Sequence, residues 1–247
     1  MCAIIGWKGN ITPSLLREQF RKAEPSGPMS TGLMTIDDVG KRGYEGQEYS
    51  LDIWKKAITA SVAIRNHNHR LDRMSTHSMG IGHTRYATHG RICDENAHPF
   101  SDHGVHFVHN GVISNYRQIK PDAIVDSQCL GPLIRRRDIS PAWGSVGLAW
   151  FERVDGVWKM FVYRHQQSLM VAKATVHIDG LVHHVMLVGS RQHHFPSKSV
   201  NGLEFMPLTE GVAYEVTDTG IVEAWRNPSQ AQTFVRETHR NGCYIGG

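Results

Sequence analysis

Three short segments, far apart in the chain, carry groups that together could cut an amide. Cys2 stands directly behind Met1 in Met-Cys-Ala-Ile-Ile-Gly. Once the methionine is removed, as a small second residue permits, one residue holds both a thiol and a free α-amine. A thiolate is a strong nucleophile, and an α-amine with an intrinsic pKa near ~8 can take a proton at neutral pH. Nucleophile and base then reside on the same residue. The segment Gly82-His83-Thr84-Arg85-Tyr86-Ala87-Thr88-His89-Gly90 adds Arg85, whose planar guanidinium can bind both oxygens of a carboxylate. The segment Val108-His109-Asn110-Gly111-Val112-Ile113 adds an amide side chain and a glycine N–H. Both are suited to stabilise an oxygen on which negative charge develops. Asn-Gly between apolar residues is also a common hairpin turn, so the dipeptide alone leaves both roles open.

Taken together and in this order, the N-terminal cysteine, His-Thr-Arg-Tyr-Ala-Thr-His-Gly and His-Asn-Gly resemble the class II glutamine amidotransferases, which are N-terminal-nucleophile hydrolases. The likeness is in particular to the glutaminase domain of glucosamine-6-phosphate synthase. The resemblance implies hydrolysis of L-glutamine to glutamate and ammonia through a γ-glutamyl thioester on Cys2, with no cofactor or metal. It gives Arg85 the substrate α-carboxylate, makes Thr88 and His89 part of the pocket wall, and makes Asn110 and Gly111 the oxyanion hole. Asp126 would hold the α-ammonium, although it follows Asn110 at a shorter interval than in that family and Asp122 lies close by. Lys41-Arg42-Gly43-Tyr44-Glu45 is similar to the family's Arg-Gly-Tyr-Asp element, with Glu45 in place of the aspartate, so Arg42 is a supporting residue. His83, His98 and Tyr86 match motif positions too, but anchoring a core or loop explains them equally well. Two other readings stay open. An N-terminal-nucleophile amidase for another amide would keep Cys2 and Asn110 without needing both Arg85 and Asp126, and a catalytically silent binding or assembly protein could share the fold.

The composition narrows the remaining classes. The 247 residues are 40% hydrophobic and 20% charged, ordinary for a globular protein. The net charge of +4 is concentrated in no long basic stretch beyond Arg135-Arg136-Arg137, so direct nucleic-acid binding is not expected. The adjacent pairs His183-His184 and His193-His194 lack the spacing of metal ligands, and no metal is expected. Four scattered cysteines fit neither a disulfide framework nor a zinc motif. With no apolar run of ~18 residues and no secretory leader pattern, the reading is a cytoplasmic protein that binds no membrane.

These groups need rigid supports. Residues 2–7 read as a short buried strand that would aim Cys2, and residues 14–23 as a helix stopped by Pro25. Residues 31–39 read as a second helix ended by Gly40, residues 66–75 as a polar loop, and residues 58–64, 79–84 and 105–109 as strands. The second half reads as an antiparallel meander, with strands at 145–153, 159–164, 168–173, 183–189, 211–216 and 220–225. Turns are expected at Val154-Asp155-Gly156 and Asp218-Thr219-Gly220. This is an α+β chain expected to form one domain over residues 1–247. The resemblance implies a four-layer αββα sandwich of two stacked, mainly antiparallel sheets. No acceptor domain is expected within that length, so a separate ammonia-accepting partner subunit is.

Overall fold

The computed structural model describes residues 2–37 and 50–228. The first sheet contains β1 (Ala3–Lys8), β2 (Ser30–Asp37), β3 (Ser50–Lys56), β4 (Met79–Arg85), β9 (Met170–Ile178), β10 (Leu181–Gly189) and β11 (Asn201–Met206). Their order across the sheet is β11-β9-β10-β1-β4-β2-β3. The second sheet contains β5 (Phe100–Asp102), β6 (Val105–Ile113), β7 (Gly144–Val154), β8 (Val157–His165), β12 (Val212–Val216) and β13 (Ile221–Arg226), in the order β13-β12-β8-β7-β6-β5. Every pairing in both sheets is antiparallel.

Alternation along the strands separates the layers. On β1, Ala3, Ile5 and Trp7 face α1 (Pro13–Ala23), α2 (Ala60–Asn66) and α3 (Asn68–Ser75). Ile4 turns the other way and joins Met34, Ile81, Val108, Phe151, Val162 and Val188 between the sheets. On the far side, Phe107, Leu148 and Trp150 pack against Leu130, Leu133 and Ile134 of α5 (Leu130–Arg136), with Tyr116 of α4 (Tyr116–Ile119) beside them. The order is helices, sheet, sheet, helices, as the resemblance implies. Each large side chain buried this way contributes roughly 1.5–3 kcal/mol.

Local chemistry explains where the elements begin. The Thr12 hydroxyl accepts from Leu15 N at 3.2 Å, Pro13 occupies the first turn, and Arg21 and Lys22 lie in the last turn of α1. A capping side chain and terminal cations complement the unpaired N–H and C=O groups of a helix. The turn expected at residues 154–156 is present, with Asp155 and Gly156 at φ 50° and 81° joining β7 to β8.

Three expected elements differ. Residues 31–37 form β2 rather than a helix. All of its residues are buried, and a strand covered on both faces loses the alternation that marks a half-exposed one. Gly32 is required there, because a Cβ would come within 1.8 Å of His98 O. Residues 60–66 form α2 rather than a strand. The Thr59 hydroxyl accepts from Val62 N at 3.2 Å, and Ala60, Ala63 and Ile64 turn inward at helical spacing. The β-branched residues that suggest a strand are overridden by packing against α1. Residues 68–75 form α3, polar because only Leu71, Met74 and Ser75 are buried. Arg70 and Arg73 both reach Asp52, each at 2.7 Å.

A buried polar chain ties the sheets together beneath the motif segments. His83 Nε2 donates to His109 O at 2.9 Å, crossing from β4 to β6. Ser127 Oγ lies 2.9 Å from His109 Nδ1 and 3.0 Å from His98 Nε2, and the ring centroids of His83 and His98 lie 4.0 Å apart with the planes tilted by 39°. Burial holds all three histidines below their usual value, His83 at about 3; the other charged groups add to this at His83 and His98, whereas Asp126 opposes it at His109. They are therefore neutral in the fold, whereas the unfolded chain protonates them near pH ~6.5. Stability should be full above that pH and fall as the pH drops below it, for His83 continuing towards about 3. Thermal melts between pH 7 and pH 5 should show a progressive drop in Tm that is shallower in His83→Gln. A flat parental Tm over that window would contradict the neutral network.

Candidate active site

Cys2 immediately precedes β1, which lies inside the first sheet with Ala3 opposite Thr84 of β4 and Ile5 opposite Gly189 of β10. That pairing brings the thiol to the end of β4. Tyr86 N donates to Cys2 Sγ at 3.2 Å, and Sγ donates back to Tyr86 O at 3.3 Å. Burial pushes the Cys2 thiol above its ordinary value, opposed by the Tyr86 hydrogen bond and the nearby Arg85 charge. The group rests as a thiol, so attack by it requires a base that removes the proton.

Arg85 ends β4 and is only 2% exposed. It donates to His89 O and, at 3.3 Å, to Arg91 O, which wraps the loop after β4 around the guanidinium. Burial works against its charge, while Cys2 and Asp126 favour it. Asp126 is also buried, at the start of a short 3-10 turn. Its Oδ2 accepts from Ile113 N at 3.0 Å, and its Oδ1 lies 3.9 Å from His89 Nδ1. His89 rests edge-on against Tyr116, with ring centroids 5.2 Å apart. Thr88 lies exposed on the loop. Arg42 lies outside the described residues.

Asn110 and Gly111 sit within β6, opposite Gly147 and Val146 of β7. The dipeptide is therefore not a hairpin turn. Asn110 points between the sheets and donates from Nδ2 to Ser190 Oγ at 3.1 Å. Gly111 has φ 151°, and a Cβ there would lie 1.9 Å from Ser145 O, so no other residue fits. The contacts close on themselves. Cys2 meets Tyr86, Arg85 meets His89, His89 faces Asp126, Asp126 holds the end of β6, and Asn110 returns through Ser190 to Ile4 N at 2.8 Å. Six of the expected residues, Cys2, Arg85, His89, Asn110, Gly111 and Asp126, thus meet at one end of the two sheets.

Two participants carry no motif signal. The Tyr86 contact is made by backbone, which is the same for every residue type, and Ser190 follows an apolar strand in a segment with only loose family likeness. Among the described residues no group of three histidines, cysteines or carboxylates could hold a metal, and no helix is long and apolar enough to cross a membrane. An open cleft of about 470 Å³, lined by Lys8, Trp158, His183 and His184 among others, lies at the opposite end of β1 and shares no residue with this site.

No protein-family model matches the chain. Among curated relatives, the glutamine–fructose-6-phosphate aminotransferase (isomerizing) of Methanococcus maripaludis is 37% identical over 123 residues, 49% of this chain and 18% of its own length. That of Aquifex aeolicus is 33% identical over 129 residues, 49% of this chain and 19% of its own. The chain thus spans less than a fifth of the length of these relatives. Among solved structures, the glutamine phosphoribosylpyrophosphate amidotransferase of B. subtilis superposes with a TM-score of 0.64 at 20% identity, over 90% of this chain and 49% of that one. The allosteric regulatory enzyme of purine biosynthesis gives 0.63 at 19%, over 90% and 48%. The structural likenesses show the fold, and the sequence likeness covers about half of the chain. By sequence over that half the chain is similar to the glutaminase end of glutamine–fructose-6-phosphate aminotransferases, and over nine-tenths of its length it shares the two-sheet αββα fold of the amidotransferase structures above.

Proposed function

We propose that the chain hydrolyses L-glutamine to glutamate and ammonia through a γ-glutamyl thioester on Cys2. The observation that carries this reading is the pairing of a strand-end thiol with a buried cation and a buried carboxylate, Arg85 and Asp126, at one end of the sandwich. A glutamine zwitterion presents the complementary anion and cation. An amide lacking both charges would leave Arg85 and Asp126 without a purpose in binding. Arg85 takes the α-carboxylate, Asp126 the α-ammonium, and Thr88 and His89 form the wall beside them.

In this reading Met1 is removed and the freed α-amine of Cys2 takes the thiol proton. Sulfur attacks the amide carbon, and the carbonyl electron pair moves to oxygen, where Asn110 Nδ2–H and Gly111 N–H receive the charge. Collapse breaks the C–N bond as the α-ammonium returns its proton to nitrogen, and ammonia leaves. Water then gives a proton to the same amine and attacks the thioester. The second collapse expels the thiolate, which recovers the proton, and glutamate departs. Each step uses protein groups and water alone. Arg42 supports the nucleophile and Asn110.

The glutaminase unit covers the whole of residues 1–247 in this reading, and a separate partner enzyme consumes the ammonia. Ammonia released into water is protonated and stops being a nucleophile, so an acceptor must receive it directly. The cytoplasm, where thiols stay reduced, suits Cys2.

The test is glutaminase turnover, with glutamate measured as product. Arg85→Lys should lower kcat/KM severely despite keeping the charge, because an ammonium cannot reproduce the guanidinium fork. Parental kcat/KM in that variant would remove Arg85 from carboxylate binding. Asn110→Ala should reduce kcat by roughly 10²-fold or more while KM changes little, since the donor serves charge present only in the transition state. A folded Asn110→Ala protein with parental kcat would end the oxyanion assignment.

A further inference from the structure

Ser190 belongs to none of the motifs and lies just beyond β10, fully buried. Its backbone extends the β10–β1 pairing, with Ser190 N donating to Ile4 O at 3.0 Å. Its hydroxyl oxygen accepts from Ile4 N at 2.8 Å and from Asn110 Nδ2 at 3.1 Å. Ser168 Oγ in turn donates to Ser190 O. One oxygen therefore joins the strand that directly follows Cys2 to the amide that faces it from the other sheet.

We infer that Ser190 is a positioning residue for the oxyanion hole, setting the plane of the Asn110 amide relative to Cys2. The inference rests on the glutaminase reading of the site. A primary amide has two N–H bonds in one plane about 120° apart, so fixing one on Ser190 fixes the direction of the other. The Ser190 oxygen also accepts the N–H of Ile4, two residues beyond Cys2. Any shift of β1 against β6 therefore moves acceptor and donor together. Without the hydroxyl, Asn110 can rotate about its side-chain bonds and Ile4 N–H loses its side-chain acceptor. Misplacement by even ~1 Å can lower turnover by up to about 100-fold. Ser190 acts on the reaction by positioning Asn110 against the strand that follows Cys2, not as a catalytic group itself.

The role predicts coupling, which a double-mutant cycle measures. Steady-state glutaminase kinetics and thermal melts are compared for the parent, Ser190→Ala, Asn110→Ala and the double variant. Ser190→Ala should lower kcat about 10- to 100-fold with KM within about twofold. In the Asn110→Ala background the same substitution should lower kcat no further. If Ser190→Ala loses its cooperative melt, Ser190→Cys, similar in shape but a weaker acceptor, is read in the same way. Parental kcat in a folded Ser190 variant, a loss confined to KM, or an undiminished loss in the Asn110→Ala background would each overturn the role. A folded parent that turns over no glutamine refutes the glutaminase reading itself and takes the positioning role with it. An active parent with an insensitive Ser190 refutes the positioning role alone.

Discussion

The two-sided pairing of β1 is the constraint on which the site depends. The residues after Cys2 are bonded to β4 on one side and β10 on the other. The same pairings choose the neighbours of the thiol. Register with β4 delivers Tyr86 N–H to Sγ, and register with β10 delivers Ser190 to Ile4. A slip of one residue would turn Ile4 out of the inter-sheet core and expose Ala3 and Ile5 to it. Geometry at Cys2 is therefore enforced by core packing, and Asn110 is held to that frame from the opposite sheet.

Electrostatics divides the buried polar groups by role. Arg85 and Asp126 are both buried and of opposite sign, an arrangement in which mutual attraction offsets part of a large desolvation cost. The histidines behind them stay neutral, since burial disfavours their charge and the nearby Arg85 adds repulsion at His83 and His98. Their hydrogen bonds run to Ser127 and to backbone carbonyls instead. One cation and one carboxylate are thus presented against a neutral background, which suits recognition of a zwitterion. Ser127 is next in sequence to Asp126, so the same network anchors the turn that carries the carboxylate.

Much of this was legible in the sequence where local chemistry decides it. A short apolar run marks β1, strand-forming residues between turn signals mark most of the second-half meander, proline at its start and beyond its end marks α1, and the ordered motifs mark the residues that meet at the site. The misreadings have common physical causes. β2 is covered on both faces and so shows no alternation, while α2 is rich in β-branched residues that tertiary contacts place on a helix. The Asn110-Gly111 dipeptide by itself is compatible with a turn as well as an oxyanion role; within β6, Gly111 is required by the approach of Ser145 O. Ser190 and the Tyr86 N–H become visible only when strands from opposite ends of the chain are paired, since neither is marked by residue type or spacing.

The central claim, that Cys2 with a freed α-amine is the nucleophile for a glutamine amide, is tested most directly by mass spectrometry. The protein is incubated with 6-diazo-5-oxo-L-norleucine, an alkylating mimic of glutamine, and its intact mass and digested peptides are compared with an untreated sample. The account predicts a protein lacking Met1 and a single adduct on Cys2 that excess glutamine suppresses. Retained methionine, or labelling at Cys93, Cys129 or Cys243 with Cys2 unmodified, would contradict it.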